Sequence, residues 1–377
     1  MPIQRPAARK VEGAILCPDG WVKGSLFFTD RILEIRGISA PEPGAGDRLI
    51  LPGAVDLHVH GGGGADIMSG NGAVDVAGRL HAAHGTTSLL ATTLTAPEGA
   101  ISAALTDIGR AVRERAPGSA RVLGAHLEGP FISPDKLGAQ PGHARPGTAD
   151  ELRRLGALAP IRIVTLAPEV PGHLELIRAL RGADISFQIG HTVGGYEEGL
   201  AALAAGARGF THLFNAMTGL SHRTPGMAGA ALALAEYAEI VPDLVHVHAG
   251  ALRVALRSIP KLYAVTDATS ATGMPDGVYR LGTRAVIKRG NGVHLETGTL
   301  AGSALTMDVA LRNLVSLGVD LASAVRRVST YPAEYLGLTD RGRLAGGCWA
   351  DLLVMTPRLE IEAVYVEGER IDPLDPD

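Results

Sequence analysis

Two histidines separated by one residue, His58 and His60, open the list of side chains whose type and spacing can do chemistry. On a strand, residues i and i+2 share a face, so both rings can reach one ion. Taken alone the pair is weak evidence, because short polar pairs are common at strand ends. Further along stand Glu128 in His126-Leu-Glu-Gly-Pro-Phe, His191 after Phe187-Gln-Ile-Gly, His212 within Gly209-Phe-Thr-His-Leu-Phe and Asp267 after Leu262-Tyr-Ala-Val-Thr. Each closes an apolar run. Neutral imidazoles and carboxylates are the donor set for Zn²⁺, Fe²⁺, Co²⁺ or Mn²⁺, and a site with few thiolates and an open position is a catalytic one.

For six such residues to meet, the fold must bring the ends of several strands to one place. From Leu51 onward, apolar β-rich runs alternate with segments of helical period, which is the βαβ pattern of a parallel sheet. The strand candidates are Ala54 to Val59, Thr87 to Leu94, Arg121 to Leu127, Ile161 to Leu166, Ile185 to Ile189, Gly209 to Leu213, Leu244 to Val247 and Leu262 to Thr266. Helix candidates between them include Val74 to His84, Ala100 to Glu114, Tyr196 to Ala205 and Ala249 to Ser258. Eight units predict an α/β fold of the (β/α)₈ TIM-barrel type, with all six residues at its C-terminal mouth, where active sites gather. A hairpin is expected between Tyr279 and Glu296, then a long helical stretch from Ser303 through Leu336.

Before and after the barrel the chain turns to short alternating strands, Gly13-Ala-Ile-Leu and Ser25-Leu-Phe-Phe at one end and Ile361-Glu-Ala-Val-Tyr-Val at the other. A small β-sandwich domain built from both termini is the economical arrangement. The expected boundaries are 1–50 and 346–377 for the two parts of this domain and 51–345 for the barrel. Separate β appendages, or a doubly wound open sheet, fit the same elements.

The 377 residues carry 35 Lys+Arg against 39 Asp+Glu with no basic run, so a nucleic-acid partner is not expected. The most apolar run, Met227 to Ala235, is too short for a membrane span, and no export signal is read at the N-terminus. Two cysteines, Cys17 and Cys348, make no disulfide framework, so a cytoplasmic setting is expected. GxSxG, Walker A and GxGxxG are absent. His81, His84, His143, His173, His222 and His294 read as solvated or hydrogen-bonded residues, and His126 as packing or as support for Glu128.

Leu51-Pro-Gly-Ala-Val-Asp-Leu-His-Val-His-Gly, His126-Leu-Glu-Gly-Pro-Phe, Gly190-His-Thr, Thr211-His-Leu-Phe-Asn-Ala-Met, Val265-Thr-Asp-Ala and Leu300-Ala-Gly-Ser resemble the amidohydrolase superfamily and, more narrowly, the N-acetylglucosamine-6-phosphate deacetylase family. The resemblance implies that Glu128, His191 and His212 hold a principal metal and that His58 and His60 could add a second ion bridged by Glu128, so one or two ions per subunit are expected. Zinc is the first choice, with Fe, Co or Mn as others. It further implies that Asp267 touches the metal site and is the general acid/base, shuttling a proton as metal-activated water attacks the acetyl carbonyl of a phosphorylated amino sugar. Ala139, Asn215, Ala216, Arg223, His246, Leu300, Ala301 and Gly302 would embrace the sugar and its phosphate, Arg223 through its planar fork. A homodimer with residues contributed across the interface is implied as well.

Two positions depart from the family pattern. Gln140 stands where members often carry a His, and it can donate a hydrogen bond to the substrate carbonyl without being cationic. Leu244 stands where a Gly is usual, and Leu lacks glycine's backbone freedom. Both leave the class of reaction intact while opening the choice of sugar to the galactosamine 6-phosphate or an unphosphorylated N-acetylhexosamine. A catalytically silent sugar-binding barrel is the reading from another class, and the retained Asp267 speaks against it.

Overall fold

The computed structural model describes residues 7–372. Eight strands, Ala54–Val59, Thr86–Thr93, Arg121–Glu128, Ile161–Leu166, Ser186–Ile189, Gly209–Phe210, Tyr237–Ile240 and Lys261–Ala264, form the barrel wall. All eight residues of Thr86–Thr93 are buried. Such a run without alternation is what a parallel strand needs when helices cover one face and packed side chains the other. Outside lie helices such as Glu98–Arg113, which buries Ile101, Ala104, Leu105, Ile108 and Ala111 along one stripe. Its Glu98 in the first turn and Arg110 and Arg113 in the last complement the helix dipole.

The first six barrel strands make one continuous parallel sheet, and the last two pair with each other. Two seams close the cylinder. At one, the Leu213 amide donates to the Glu239 carbonyl over 2.9 Å; at the other, the Asp267 amide donates to the His58 carbonyl over 2.9 Å, next to a bridge between Val59 and Ala268. Both seams lie at the mouth, beside or on the residues singled out for chemistry.

The seventh strand is Tyr237–Ile240, and the expected strand Leu244 to Val247 is a turn. Leu244 has φ 64°, in the left-handed region that no strand uses. Asp243 Oδ1 holds it there by accepting from the amides of Val245 and His246 at 2.9 and 2.7 Å. The true strand escapes an apolar-run reading because Glu239 interrupts it. The sixth strand is shorter than expected, its ladder ending at Phe210. The helical stretch begins at Met307, since Leu300–Ser303 is a strand, and it breaks near Gly318, whose φ is 89°, before Asp320 caps the next helix.

The expected small domain from both termini is one sheet of seven strands. Across it run Glu369–Ile371, Ile361–Val366, Leu352–Met355, Leu49–Pro52, Arg9–Cys17, Gly20–Phe28 and Ile32–Ala40. Leu49, Leu51 and Leu353 pack on the barrel core, while Ile15, Leu26, Phe28, Ile32, Ile50 and Leu352 form a core of their own. The hairpin foreseen after the eighth strand is a four-stranded antiparallel sheet, Gly277–Leu281, Arg284–Arg289, Gly292–His294 and Leu300–Ser303.

Candidate metal centre and catalytic mouth

The first barrel strand ends on His58 and His60, whose Nε2 atoms lie 3.1 Å apart. Asp267, just past the eighth strand, places Oδ1 3.6 Å from His58 Nε2 and 3.3 Å from His60 Nε2. A second group stands beside the first: His191 Nε2 and His212 Nε2 are 3.0 Å apart and lie 3.2 and 3.0 Å from Glu128 Oε1. Glu128 joins the two, with Oε1 3.4 Å from His58 Nε2 and Oε2 3.2 Å from His60 Nε2. All six expected residues meet, and all six are buried.

Backbone conformation aims several of them. His191, His212 and Asp267 have φ 48°, 28° and 53°, so three ligand candidates follow their strands in left-handed turns that swing the side chain over the mouth. Such conformations persist only where the surroundings over-determine them. After Glu128, Gly129 at φ 75° has no room for a Cβ, which would run into the Thr95 hydroxyl.

The electrostatics ask for a cation. Burial opposes charge on Glu128, yet His58 and His191 hold its carboxyl well below the ordinary range. Burial likewise opposes a charged His58, but Glu128, Glu239 and Asp267 outweigh it and hold the ring well above its ordinary value. His60 is raised to about 9 against the same penalty, by Asp267 and Glu128. The carboxylates thus draw protons onto neighbouring imidazoles, and no Lys or Arg pairs with them among the described residues. Three sets of three donors have ligand atoms close enough to hold an ion: His58/His60/Asp267 and Glu128/His191/His212 at the mouth, and His58/His126/Glu239 beneath it. The donor set and its unmet demand for positive charge fit divalent metal.

A cavity of about 350 Å³ opens on this cluster and is lined by His60, Glu128, His191, His212 and Asp267. Ala139, Gln140, Asn215, Ala216, His246, Leu300 and Gly302 also line it. Ala301 is fully buried behind that wall. Arg223 is not brought to the cavity of its own chain: it is exposed on a loop, with Nη1 2.6 Å from His222 Nε2. Gln140 differs from the expectation of a free donor. Its amide nitrogen donates to Glu128 Oε2 over 2.5 Å and its oxygen accepts the Thr95 amide over 2.7 Å, so it orients the Glu128 carboxylate. His246 stands with Nδ1 2.6 Å from Asp243 Oδ2, and Asp243 raises its pKa against burial.

Beneath the mouth lie groups the sequence reading left out or undecided. Glu239, fully buried, sets Oε2 3.0 Å from His58 Nδ1. Asp56 accepts from the Thr266 hydroxyl over 2.6 Å, and burial pushes its carboxyl up to about 7. His126 donates from Nδ1 to the Leu57 carbonyl and meets Thr165 through Nε2, and burial lowers its pKa to about 4, so it supports the barrel interior as a neutral ring. His81 is also hydrogen-bonded rather than solvated, its Nε2 donating to the Gly61 carbonyl beneath the glycine loop.

The profile of the Amidohydrolase family matches residues 49–371. An N-acetylgalactosamine-6-phosphate deacetylase of Escherichia coli O157:H7 is 37% identical over 94% of this chain and 97% of its own length. An N-acetylglucosamine-6-phosphate deacetylase of Bacillus subtilis is 39% identical over 85% of this chain and 84% of its own. The Mycobacterium smegmatis N-acetyl-D-glucosamine-6-phosphate deacetylase, solved as a mutant with N-acetyl-D-glucosamine-6-phosphate, superposes with a TM-score of 0.88 at 34% identity, covering 97% of this chain and 98% of that one. With its barrel, its convergent donors and its whole-length likeness to these proteins, the chain belongs to the amidohydrolase family.

Proposed function

We propose that this protein hydrolyses the acetamido group of N-acetylglucosamine 6-phosphate, releasing acetate and glucosamine 6-phosphate. The observation that carries it is the convergence of Glu128, His191, His212, His60 and Asp267 on one cavity large enough for a hexosamine, with His58 fully buried beside them. Glu128, His191 and His212 would hold the principal ion, and His58, His60 and Asp267 a second, zinc being the first candidate. Such an ion lowers the pKa of a water from 15.7 toward roughly 7 and draws charge from a carbonyl oxygen.

The chain's own groups do the rest. Burial opposes charge on Asp267, but His58 and His60 hold its carboxyl at about 2, so it stands deprotonated beside the cavity. From that state it takes a proton from the attacking water as the new C–O bond forms, then delivers it to the amide nitrogen as the C–N bond breaks. His246, braced by Asp243, presents its ring to the sugar. Gln140 keeps the Glu128 carboxylate in one orientation.

Arg223 lies outside its own cavity, and Leu220, Leu244 and Val245 are 59%, 43% and 41% exposed. A second copy seated on this face would cover those residues and bring Arg223 to the phosphate of its partner's substrate. That supports the homodimer. The free thiols of Cys17 and Cys348 suit a cytoplasmic setting; no helix among the described residues is long and apolar enough to cross a membrane.

The galactosamine 6-phosphate reading has a specific support in the 37%-identical Escherichia coli relative. Acetate release from glucosamine and galactosamine derivatives, each with and without the 6-phosphate, separates the readings. The proposal expects the highest kcat/KM on the phosphorylated gluco compound. Turnover confined to another member of the panel moves the assignment there, and no turnover with any divalent metal leaves the silent barrel.

A further inference from the structure

The seventh barrel strand, Tyr237–Ile240, sends no side chain into the mouth cavity, yet it carries a fully buried carboxylate, Glu239. Its Oε2 lies 3.0 Å from His58 Nδ1 and 3.2 Å from the His212 amide, which donates to it. Its Oε1 has no hydrogen-bond partner. One neighbouring polar group, His126 Nδ1 at 3.9 Å from Oε1, donates instead to the Leu57 carbonyl. Below that, His126, Thr165, Thr211, Gln188 and Tyr263 bond to one another in a chain that ends at Tyr263, whose hydroxyl is held protonated by burial and by the nearby Glu239 charge. The two contacts that tie Glu239 to the ligand groups both run through one oxygen, Oε2.

We infer that Glu239 is the positioning residue that couples the two ligand groups, one carboxylate oxygen fixing the ring of His58 from one group and the backbone of His212 from the other. The inference rests on the reading that both groups hold ions. The His212 amide proton is fixed, so Oε2 must accept. An imidazole that donates Nδ1–H to the same oxygen has its free electron pair on Nε2, the atom that faces His60, Glu128 and Asp267. Glu239 thereby selects the one tautomer of His58 that can serve as a ligand in the mouth, and its charge strengthens that nitrogen as a donor. At His212 it acts on the backbone alone, which has φ 28° and so depends on outside support. The effect is strongest on the His58 group and weaker on the Glu128 group.

The test is uptake of Co²⁺ by metal-free protein, followed by visible absorption and by metal analysis after dialysis, with no substrate present. Wild type should fill two positions, and His60→Ala should lose one of them, which assigns the steps. In Glu239→Gln, which keeps an acceptor but not the charge, the step assigned to His58, His60 and Asp267 should weaken by about 10–100-fold. The Glu128 step should weaken less. Glu239→Asp, which retains the charge but draws the oxygen back by one methylene, should weaken the same step and serves if the glutamine variant does not fold. Curves for both variants that overlay wild type would overturn the coupling role, as would equal weakening of both steps. A wild-type protein that takes up a single ion would overturn the two-ion reading itself, and that result is visible before any Glu239 variant is compared.

Discussion

The strand Arg121–Glu128 carries charge at both ends, half-buried at its start and buried at its finish, and the two ends are built on opposite principles. At its start, Arg121 Nη2 meets Glu367 Oε2 at 2.6 Å; Arg341 pairs with Asp351 at 2.5 Å and with Glu367; and Arg115 pairs with Glu367 at 3.3 Å and with Glu369. Three guanidiniums answer three carboxylates there, and the cluster joins the barrel to the terminal sheet. At its finish, Glu128 stands in the mouth with Asp267, above the buried Glu239, and among the described residues only imidazoles pair with them as cations. One end neutralises itself and holds the fold together. The other is left short of positive charge, which is the condition for recruiting an ion from solution.

The largest expected effect lies at the mouth. Glu128→Ala removes a ligand of one group that also reaches His58 and His60 of the other, so metal content should fall and kcat/KM should drop by several kcal/mol of transition-state stabilisation, roughly 10³-fold or more. Metal analysis and acetate release on the same preparation check it, and full metal content would break the contrast drawn above. Asp267→Asn should lower kcat by about 10²–10⁴-fold while the ion at Glu128, His191 and His212 is retained. Metal loss in step with activity would make Asp267 a ligand alone.

At the other end the expected signature is reversed. Arg341→Met leaves the buried Asp351 without its guanidinium partner, while Glu367 keeps Arg121 and Arg115, at a cost of about 3–5 kcal/mol in stability. The kcat of the molecules that remain folded should be unchanged. Denaturant melts paired with turnover measurements test this, and lost turnover at full stability would contradict it.

A pH series sharpens the same contrast. Burial opposes charge on Glu367, but Arg121 and Arg341 hold its carboxyl at about 2, against an ordinary 4.5. A group depressed on folding contributes stability that is complete above its unfolded pKa and is lost as pH falls through the folded one. Stability should therefore decline between about pH 4.5 and 2 by an amount on the order of 3 kcal/mol from this residue. Glu367→Gln should flatten that part of the curve; an unchanged slope would remove Glu367 as its source. The smallest effect is expected at Leu244, where relief of a left-handed backbone by Leu244→Gly should raise stability by about 0.5–1 kcal/mol, offset in part by glycine's greater entropy when unfolded.

Much of the mouth was legible before any coordinates, because His58, His60, Glu128, His191, His212 and Asp267 each end an apolar run, and a polar residue there has few places to go but the rim. Glu239 was not legible for the complementary reason. It sits inside a strand and points inward, and a buried charge in a short apolar run reads as an interruption; the seventh strand was accordingly set seven residues too late, at Leu244 in place of Tyr237. The same blindness hid the work of Gln140, whose residue type announces a hydrogen bond but not its recipient. Leu244 shows the limit from the other side. The absence of the usual glycine was visible, but that leucine would adopt the left-handed conformation anyway depends on the two amides gathered by Asp243.

The order of strands in the terminal sheet bears on how the molecule comes into being. Leu352–Met355 inserts between Leu49–Pro52 and Ile361–Val366, so the strand that leads into the barrel waits with a bare edge while the whole cylinder is synthesised. Translation that stopped short of that late strand would leave Leu49–Pro52 open to pairing with other chains. Completion of the polypeptide and protection from aggregation are thereby the same event.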